Sequence, residues 1–370
     1  MPDKKNILLV TSSLHIGGAE RVIANLAKYL DKDRFRVMVC HLLEKGVIGE
    51  ELEKQGVPII GVRRHDDPVR RYLSFLELRK IVKEYHINLL HSHTTYSLCD
   101  SSLCRITIPG IRTVHTFHRG NYPNHDKRYM RMEKFFSRFS DQLVAVGIEQ
   151  GRKIADTFRF PGARLRTILN GVEDKPAEVD PVWAERLKND GRLVIGSIST
   201  LIEQKGITHL LDAARDVLRA GAHPLFVIIG EGHLRPQLEA QCRSLGLEDS
   251  VLFTGWIPNA ASRVMPLFDV FVQSSLWEAM SMVVLEAMAA SRPVVVTDAG
   301  DNRHVVESGR SGLVVAPGDS RRLAEALLSL ISSTEERARL GSAARARFEL
   351  HYTARKMAEK HEDLYSRLLS

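Results

Sequence analysis

The sequence contains few cysteines, few aromatic residues and no long apolar segment, and each scarcity excludes a class of protein. Only four of its 370 residues are cysteines, and none forms a C-x-x-C pair or completes a zinc site with histidines. No apolar span reaches the roughly 18 residues of a membrane-crossing helix, and the N-terminus lacks a signal-peptide pattern. Aromatic residues make up 6% of the chain and form no platform with RNA-binding spacing. We therefore expect a cytoplasmic protein that has reduced cysteines and binds no nucleic acid.

Two common nucleotide-binding motifs are also missing. The glycine-containing turn at Leu14–Arg21 does not match G-x-G-x-x-G, and no G-x-x-x-x-G-K-[ST] loop occurs in the chain. The letters D-x-D appear at Asp31–Asp33, but that tripeptide falls in a polar turn after the first predicted helix. These absences argue against a nicotinamide-dependent enzyme and against an ATPase. We expect no bound metal and no cofactor.

Basic residues are concentrated in the first half of the chain. The net charge is +7, and residues 1–170 contain 29 Lys and Arg against 18 Asp and Glu. This asymmetry predicts an anionic partner for the N-terminal half, such as phospholipid or a phosphorylated acceptor. The stretch Lys127–Arg138 fits either a helix lying on an anionic membrane or a core-packed helix with a solvated basic side. Further basic residues precede it: Arg63, Arg64, Arg70, Arg71, Arg79, Lys80 and Lys83.

Short apolar runs alternate with helical patterns along most of the chain, which predicts two α/β domains with parallel sheets. The alternation covers residues 1–172, pauses over a polar segment with two prolines at 173–191, and resumes over 192–352. We interpret these as an N-terminal domain, a linker and a C-terminal domain. An amphipathic helix at 353–370 is expected to pack back on the first domain. Ligands of such sheets bind at the carboxyl ends of the strands.

One candidate site lies in the second predicted domain, where a helix follows a strand and a short loop. Ser281 is a favourable N-cap for that helix, which would leave the amides of Val283 and Val284 facing an anion. Glu278 precedes the cap, and Glu286 lies within the helix. Because carboxylates repel phosphate, we expect them to bind sugar or ribose hydroxyls. The alternative is an ordinary surface helix with two solvated glutamates.

Four other loops at predicted strand ends hold candidate residues. Glycines allow backbone to approach a ligand closely, and a lysine after a strand can reach a diphosphate as a point charge. Each feature has an ordinary alternative, because tight turns, solvated lysines and structural histidines are common at strand ends. The candidates are Gly17 with Gly18, His115, Lys205, and Gly230.

Eight short motifs follow one another along nearly the whole chain. They are Gly17–Arg21, Val114–Thr116, Asn170–Val172, Lys205-Gly206, Gly230–Gly232, Phe253–Gly255, the E-x7-E pair from Glu278 to Glu286, and Gly312–Val315 with Pro317–Asp319. In order and spacing they resemble glycosyltransferase family 4. The resemblance implies the GT-B fold, in which two Rossmann-like, doubly wound parallel-sheet α/β domains face each other across a cleft. It also implies a retaining, metal-independent enzyme.

The resemblance assigns roles to residues of the second domain, which holds the nucleotide in this family. It implies that Glu286 bonds the ribose and that Glu278 lies beside the transferred sugar. It further implies that Lys205 and the amides near Val283 and Val284 hold the diphosphate.

The first domain is expected to complete the site. Gly17 and Gly18 would close over the diphosphate, and His115 would lie near the sugar and the acceptor. The chain departs from the family at several positions. Among them, Thr200 replaces an arginine that usually clamps the diphosphate, and His304 replaces a glutamate.

A charge-assisted hydrogen bond of the kind that the replaced arginine makes contributes roughly 1.5–3 kcal/mol. Arg303 could supply the missing positive charge from a neighbouring loop. The expected donor-binding set therefore also contains Thr200, Gly230 and Arg303.

The sequence as a whole predicts a retaining transferase that moves a sugar from a nucleotide-diphosphate sugar, with UDP favoured, to a glycan or lipid-linked acceptor. The expected process is cell-envelope polysaccharide or lipopolysaccharide synthesis, with peripheral contact to the inner face of an anionic cytoplasmic membrane. Two alternatives remain: a transferase that makes a small soluble glycoside, and a non-catalytic nucleotide-sugar-binding subunit that supports another transferase.

Overall fold

The computed structural model describes residues 4–62, 74–160 and 162–370, which form two compact units. The first unit contains the described residues up to Glu173 together with Thr353–Ser370, and the second is Asp174–Tyr352. Each unit is built on its own sheet, and the strand pairs of both sheets are parallel in the described residues. The prediction of two parallel-sheet α/β domains is confirmed.

The first unit alternates strands with helices, apart from its C-terminal helix. Its strands are β1 (Lys5–Ser13), β2 (Phe35–Glu44), β3 (Ile59–Gly61), β4 (Leu89–Ser92), β5 (Arg112–Phe117), β6 (Gln142–Ala145) and β7 (Leu165–Thr167). Its helices are α1 (Gly18–Tyr29), α2 (Gly46–Lys54), α3 (Ser74–Glu84), α4 (Thr95–Thr107), α5 (Lys127–Phe136), α6 (Ile148–Phe158) and α15 (Ala354–Leu369). The sheet order is β3-β2-β1-β4-β5-β6-β7.

The centre of the first sheet is buried on both faces. Ile7, Leu8, Leu9 and Val10 of β1 are all fully buried, although successive side chains of a strand point to opposite faces. An uninterrupted apolar run is the pattern of a parallel strand covered by helices on both sides. The strand itself, Lys5–Ser13, extends beyond this apolar run at both ends.

The second unit repeats this architecture with other lengths. Its strands are β8 (Val194–Ile198), β9 (Leu225–Ile229), β10 (Val251–Gly255), β11 (Val270–Gln273), β12 (Val294–Thr297) and β13 (Leu313–Val315). Its helices are α7 (Pro181–Asp190), α8 (Ile207–Arg219), α9 (Arg235–Ser244), α10 (Ala260–Arg263), α11 (Met282–Ala289), α12 (Asn302–Val305), α13 (Ser320–Ile331) and α14 (Thr334–His351). The sheet order is β10-β9-β8-β11-β12-β13.

The segment predicted as a linker, residues 173–191, contains helix α7 and joins the second unit from Asp174 onwards. The side chain of Asp180 caps the helix by accepting hydrogen bonds from the amides of Val182 (2.9 Å) and Trp183 (3.4 Å). Pro181 occupies the first turn, where its missing amide proton costs nothing. The second proline of a polar stretch is therefore a helix start rather than part of an irregular connection.

The C-terminal helix α15 belongs to the first unit. The amide of Ala354 donates to the carbonyl of Val172 at 2.8 Å, and Glu362 accepts from the amide of Asp31 at 2.8 Å. A β-carbon on Gly171 would lie 2.4 Å from the carbonyl oxygen of Thr353, so the return of the chain requires glycine there. Tyr365 is fully buried at the far end of the helix.

Candidate functional site

Each sheet has a switch point where the strand order reverses, between β1 and β4 in the first and between β8 and β11 in the second. Loops that leave neighbouring strands in opposite directions open a crevice at such a point, beyond the carboxyl ends of the strands. The loops after β8 and β11 carry Lys205 and Glu278. In the first unit, the ends of β4 and β5 and the loops that follow them carry His91, His93, His115 and His118.

Lys205 and Glu278 form a largely buried ion pair in the second unit. The ammonium nitrogen of Lys205 lies 2.5 Å from Oε1 of Glu278, and their side chains are 18% and 8% exposed. Ser275 donates to the same carboxylate oxygen at 2.8 Å, and Gln204 donates to Oε2 at 3.3 Å. The carboxylate is thus held by three donors from two loops. These two side chains are therefore not the solvated surface lysine and glutamate that the alternative interpretation describes.

Glycines allow the loops around this pair to approach closely. Gly206 has a φ of +58°, and a β-carbon on it would lie 2.3 Å from the carbonyl oxygen of Ser274. Gly230 has a φ of +142°, and a β-carbon there would lie 1.8 Å from the carbonyl oxygen of Ser199. Gly230 therefore serves close packing between the loops after β8 and β9, while the neighbouring Thr200 is exposed.

Helix α11 begins immediately after the loop that carries Glu278, and its first turn has no side-chain cap. Ser281 occupies the N-cap position with extended backbone, but its hydroxyl does not cap the helix. Instead, the hydroxyl oxygen accepts a 2.6 Å hydrogen bond from Nε2 of Gln273, so the capping role predicted for Ser281 is wrong. The amides of Val283 and Val284 lie in this first turn, as predicted. Glu286 is half-buried one turn further along.

Arg303 and His304, which follow β12, have structural contacts of their own. The guanidinium of Arg303 pairs with the carboxylate of Asp298 through two hydrogen bonds, and the arginine side chain is 62% exposed. The carbonyl oxygen of His304 accepts from Arg347 at 2.8 Å and from the hydroxyl of Tyr352 at 3.2 Å. A charge from Arg303 would therefore have to be shared with Asp298.

In the first unit, Gly17 and Gly18 lie where the chain passes from β1 into α1. Gly17 has extended backbone with φ of −172°, which any residue can adopt, and Gly18 is the first residue of the helix. A β-carbon on Gly17 would lie 2.3 Å from a carboxylate oxygen of Glu20. The glycine therefore makes room for that side chain, and burial raises the pKa of the Glu20 carboxyl.

A cluster of five histidines occupies the carboxyl edge of β4 and β5 and the facing side of α15: His91, His93, His115, His118 and His361. The ring of His91 lies 4.1 Å from that of His93 and 5.6 Å from that of His361, measured between centroids. Sequence reasoning singled out His115 and left the rest undetermined. The H-x-H spacing at His91 and His93 is the pattern in the sequence that points to this cluster. That pattern alone cannot show that α15 contributes the ring of His361.

The histidine cluster is neutral near pH 7. Burial, together with a smaller effect of a neighbouring imidazole, lowers the pKa of His115 and of His118 to about 3. Burial, together with the nearby Lys360, lowers the pKa of His361 to about 4. Burial also lowers the pKa of His91 and His93 well below the ordinary value. A neutral imidazole can bind a hydroxyl group, but it offers no charge to a phosphate.

Two family models match the chain, one to each half. The model described as Glycosyltransferase Family 4 matches residues 16–175, and the model described as Glycosyl transferases group 1 matches residues 182–347. The chain belongs to glycosyltransferase family 4. It is therefore a glycosyltransferase, and the family resemblance that its motifs carry is confirmed.

Curated relatives and solved structures of family 4 glycosyltransferases agree with this assignment. The chain is 23% identical over 335 residues to the UDP-Gal:alpha-D-GlcNAc-diphosphoundecaprenol alpha-1,3-galactosyltransferase of Escherichia coli, covering 85% of this chain and 84% of that protein. It is 26% identical over 300 residues to the alpha-monoglucosyldiacylglycerol synthase of Streptococcus pneumoniae, covering 76% and 68%. The crystal structure of Anabaena HepE in complex with UDP superposes with a TM-score of 0.84 at 23% identity, over 98% of this chain and 100% of that one. The GT-B fold is confirmed.

The basic stretch of this glycosyltransferase is a helix, α5, whose outer face is cationic. Lys127, Arg128, Arg131 and Lys134 are exposed, whereas Glu133, the only carboxylate of the helix, is 3% exposed. Its oxygens accept hydrogen bonds from Thr95 (2.7 Å) and Tyr122 (2.5 Å) beneath the helix. The basic residues at 63, 64, 70 and 71 lie outside the described residues.

Within the described part of this family 4 enzyme, no helix is both long and apolar enough to cross a membrane. Likewise, no three histidine, cysteine, aspartate or glutamate side chains of residues 4–62, 74–160 and 162–370 gather as a metal site would require. Peripheral membrane contact and independence of metal both stay predictions.

Proposed function

We propose that the enzyme transfers a sugar from a UDP-sugar, with retention of anomeric configuration, to a glycan or lipid-linked acceptor of the cell envelope. The observation that carries the proposal is the Lys205–Glu278 pair at the switch point of the second sheet, directly before the uncapped helix α11. UDP is favoured because the HepE crystal contains it and the Escherichia coli relative is named for UDP-Gal. The lipid-linked acceptor rests on the names of the two curated relatives.

The site suits the charge that develops in such a reaction. When the bond between sugar C1 and phosphate oxygen breaks, its electron pair stays on the diphosphate. The ammonium group of Lys205 and the first-turn amides of α11 would stabilise that charge. The acceptor hydroxyl attacks C1 on the face that the diphosphate leaves, and its proton passes to the departing phosphate oxygen. Glu278 orients Lys205 beside the sugar and forms no covalent bond.

The test measures release of nucleoside diphosphate from a panel of UDP-, GDP- and ADP-sugars. We expect slow hydrolysis of one UDP-sugar, and acceleration by a membrane lipid extract that contains the acceptor. The Glu278→Gln variant should lower the rate at least about tenfold, because Lys205 loses the carboxylate that orients it. Retention requires that NMR of the product show the same anomeric configuration as the donor.

Glu203 provides a matched control from the same loop as Lys205. Its side chain is 63% exposed and pairs with the equally exposed His233, so Glu203→Gln should keep the rate within about twofold. A Glu278→Gln enzyme as fast as the wild type would overturn the proposed site. If only a small soluble hydroxyl compound stimulated turnover, the enzyme would be a transferase that makes a small soluble glycoside, and the proposed lipid-linked acceptor would be wrong.

We further propose that α5 holds the enzyme against an anionic membrane surface. The helix turns its single carboxylate inward and presents four basic side chains, and Phe135 beside them is 52% exposed. Exposed aromatic and basic groups on one short helix favour the interface of an anionic bilayer. Glu133 anchors the inner side of the helix, so that its basic face stays outward.

Sedimentation with vesicles tests this surface. The wild type should bind vesicles containing anionic phospholipid, and less so as salt rises, but should not bind neutral vesicles. The Arg131→Ser/Lys134→Ser variant should bind at least about tenfold more weakly, since each basic residue near the surface contributes about 1 kcal/mol. The control Arg321→Ser/Arg322→Ser removes the same charge from exposed positions of α13 and should bind like the wild type. An equal loss of vesicle binding in both variants would mean that net charge, and not the surface of α5, determines binding.

A further inference from the structure

Ser92 and His115 are direct neighbours across β4 and β5. The two residues are register partners in the parallel ladder, and each is 1% exposed. The hydroxyl oxygen of Ser92 lies 2.9 Å from Nδ1 of His115 and 3.3 Å from the carbonyl oxygen of Val114. The same hydroxyl therefore contacts one group that only accepts and one ring nitrogen that either donates or accepts.

The protons of this contact can be assigned by counting. A serine hydroxyl carries one proton, and its contact with the Val114 carbonyl uses that proton as donor. The oxygen then accepts from Nδ1–H of His115. This assignment places the proton on Nδ1.

The other nitrogen of His115, Nε2, differs from the two ring nitrogens of His91. His91 has a partner on both nitrogens, the hydroxyl of Tyr365 at 2.6 Å and that of Thr116 at 2.7 Å. His93 and His118 share a hydrogen bond of 3.0 Å. For Nε2 of His115 the described residues supply no hydrogen-bond partner. With the proton on Nδ1, this nitrogen carries a lone pair at the carboxyl end of β5.

We propose that Ser92 is a positioning residue that holds His115 as the Nδ1–H tautomer, so that Nε2 accepts a hydrogen bond from a sugar hydroxyl. The hydroxyl as ligand rests on the proposed function, whereas the tautomer does not. A lone pair on a neutral ring repels a phosphate oxygen and attracts an O–H group. His115 is thereby suited to the sugar and not to the diphosphate.

The tautomer can be measured directly by NMR of protein labelled with 15N-histidine at pH 7.5, with the His115 signals identified from their loss in His115→Gln. We expect the Nδ1–H form in the wild type. Ser92→Ala should move the tautomer ratio about fivefold towards Nε2–H, the change expected from loss of one neutral hydrogen bond. Ser92→Thr keeps a hydroxyl and should restore the ratio.

Ser101 offers a matched control, because it is also buried but its hydroxyl has no hydrogen-bond partner. Ser101→Ala should leave the tautomer ratio of His115 unchanged. A wild-type Nε2–H tautomer would overturn the proposal, and so would a ratio in Ser92→Ala within twofold of the wild type. None of these readouts requires turnover. If the enzyme fails to use any donor but His115 is Nδ1–H, the proposed function fails and the tautomer assignment stands.

Discussion

Gly206 connects the chemistry of the second unit to its backbone. It follows Lys205 directly, adopts the left-handed conformation and passes within contact distance of the Ser274 carbonyl. The hydroxyl of Ser274 in turn donates to the Lys205 carbonyl at 3.0 Å. These contacts tie the loop after β8 to the loop after β11, and the Lys205–Glu278 pair spans the same two loops.

Replacing Gly206 by alanine should destabilise the second unit and weaken nucleotide binding together. The control is Gly221→Ala, which also has a positive φ but would place its β-carbon in open space. We expect a loss of about 1 kcal/mol in unfolding free energy for the control and about 3 kcal/mol for Gly206→Ala, because a backbone clash adds to the strain. Urea unfolding and UDP titration measure both effects. Equal losses in the two variants would contradict the predicted clash.

The role of an individual residue could be predicted only where a short stretch of neighbouring sequence determines it. Lys205 and Glu278 were predicted from short motifs at strand ends, and the structure places their charged groups 2.5 Å apart. Ser281 was assigned a cap that it does not make, because its competitor Gln273 lies on the preceding strand and a helix-start pattern ignores it. No sequence pattern singled out Ser92, because its contact with His115 depends on the register of β4 with β5.

At the scale of elements, apolar runs predicted the central strands well, whereas the structure of polar segments was predicted poorly. The alternation of apolar runs with helical patterns predicted both parallel sheets, but the same reasoning gave residues 173–191 as a linker, although a capped helix begins at Pro181. The motifs lay in strand-to-helix loops, so the candidate site survived errors in the element bounds. The position of α15 against the histidine cluster could only be suggested, because amphipathicity does not show which face it covers.

Helix α15 should make the first unit sensitive to acid through His361. This residue is 2% exposed, and its Nδ1 lies 2.9 Å from the Met357 carbonyl oxygen, to which the neutral ring donates. Its pKa is about 4 in the folded chain and 6.5 ordinarily, so between these values the unfolded chain binds more protons. The stability that neutral His361 provides is complete above pH 6.5 and is lost progressively as the pH falls towards 4.

Replacing His361 by glutamine, which does not titrate, should remove this part of the acid sensitivity. Between pH 7.5 and pH 5.0 the wild type should lose about 2 kcal/mol more unfolding free energy than His361→Gln. Urea unfolding at the two pH values measures the difference. The exposed His223 serves as control, and His223→Gln should lose as much as the wild type. An identical loss in His361→Gln would mean that α15 releases His361 to solvent before it takes up a proton.

At the scale of the whole molecule, the two units differ in their titrating groups and in their fluorophores. Every histidine whose pKa is lowered in the described residues belongs to the first unit, and His91, His93, His115, His118 and His361 among them are clustered. Burial raises the pKa of Asp100 in that unit to about 6, and it also raises the pKa of Glu20 and Glu133. These three carboxyls act in the opposite direction as the pH falls, and they offset only part of the effect of five imidazoles. All three tryptophans, Trp183, Trp256 and Trp277, lie in the second unit.

Heating at pH 5.0 should therefore unfold the first unit before the second, and two probes can separate the events. Circular dichroism follows the helices of both units, whereas tryptophan fluorescence follows only the second. We expect an early dichroism transition without a fluorescence change at pH 5.0, and a narrower gap at pH 7.5, where the imidazoles of the unfolded chain no longer take up protons. UDP at about 100 times its Kd should stabilise the fluorescence transition by about 2.7 kcal/mol and leave the early one in place, because Lys205 and the first-turn amides of α11, which are proposed to stabilise the diphosphate, belong to the second unit. A fluorescence transition that came first at pH 5.0 would contradict the assignment of acid sensitivity to the histidine cluster. Stabilisation of the early transition by UDP would instead mean that the first unit contacts the nucleotide.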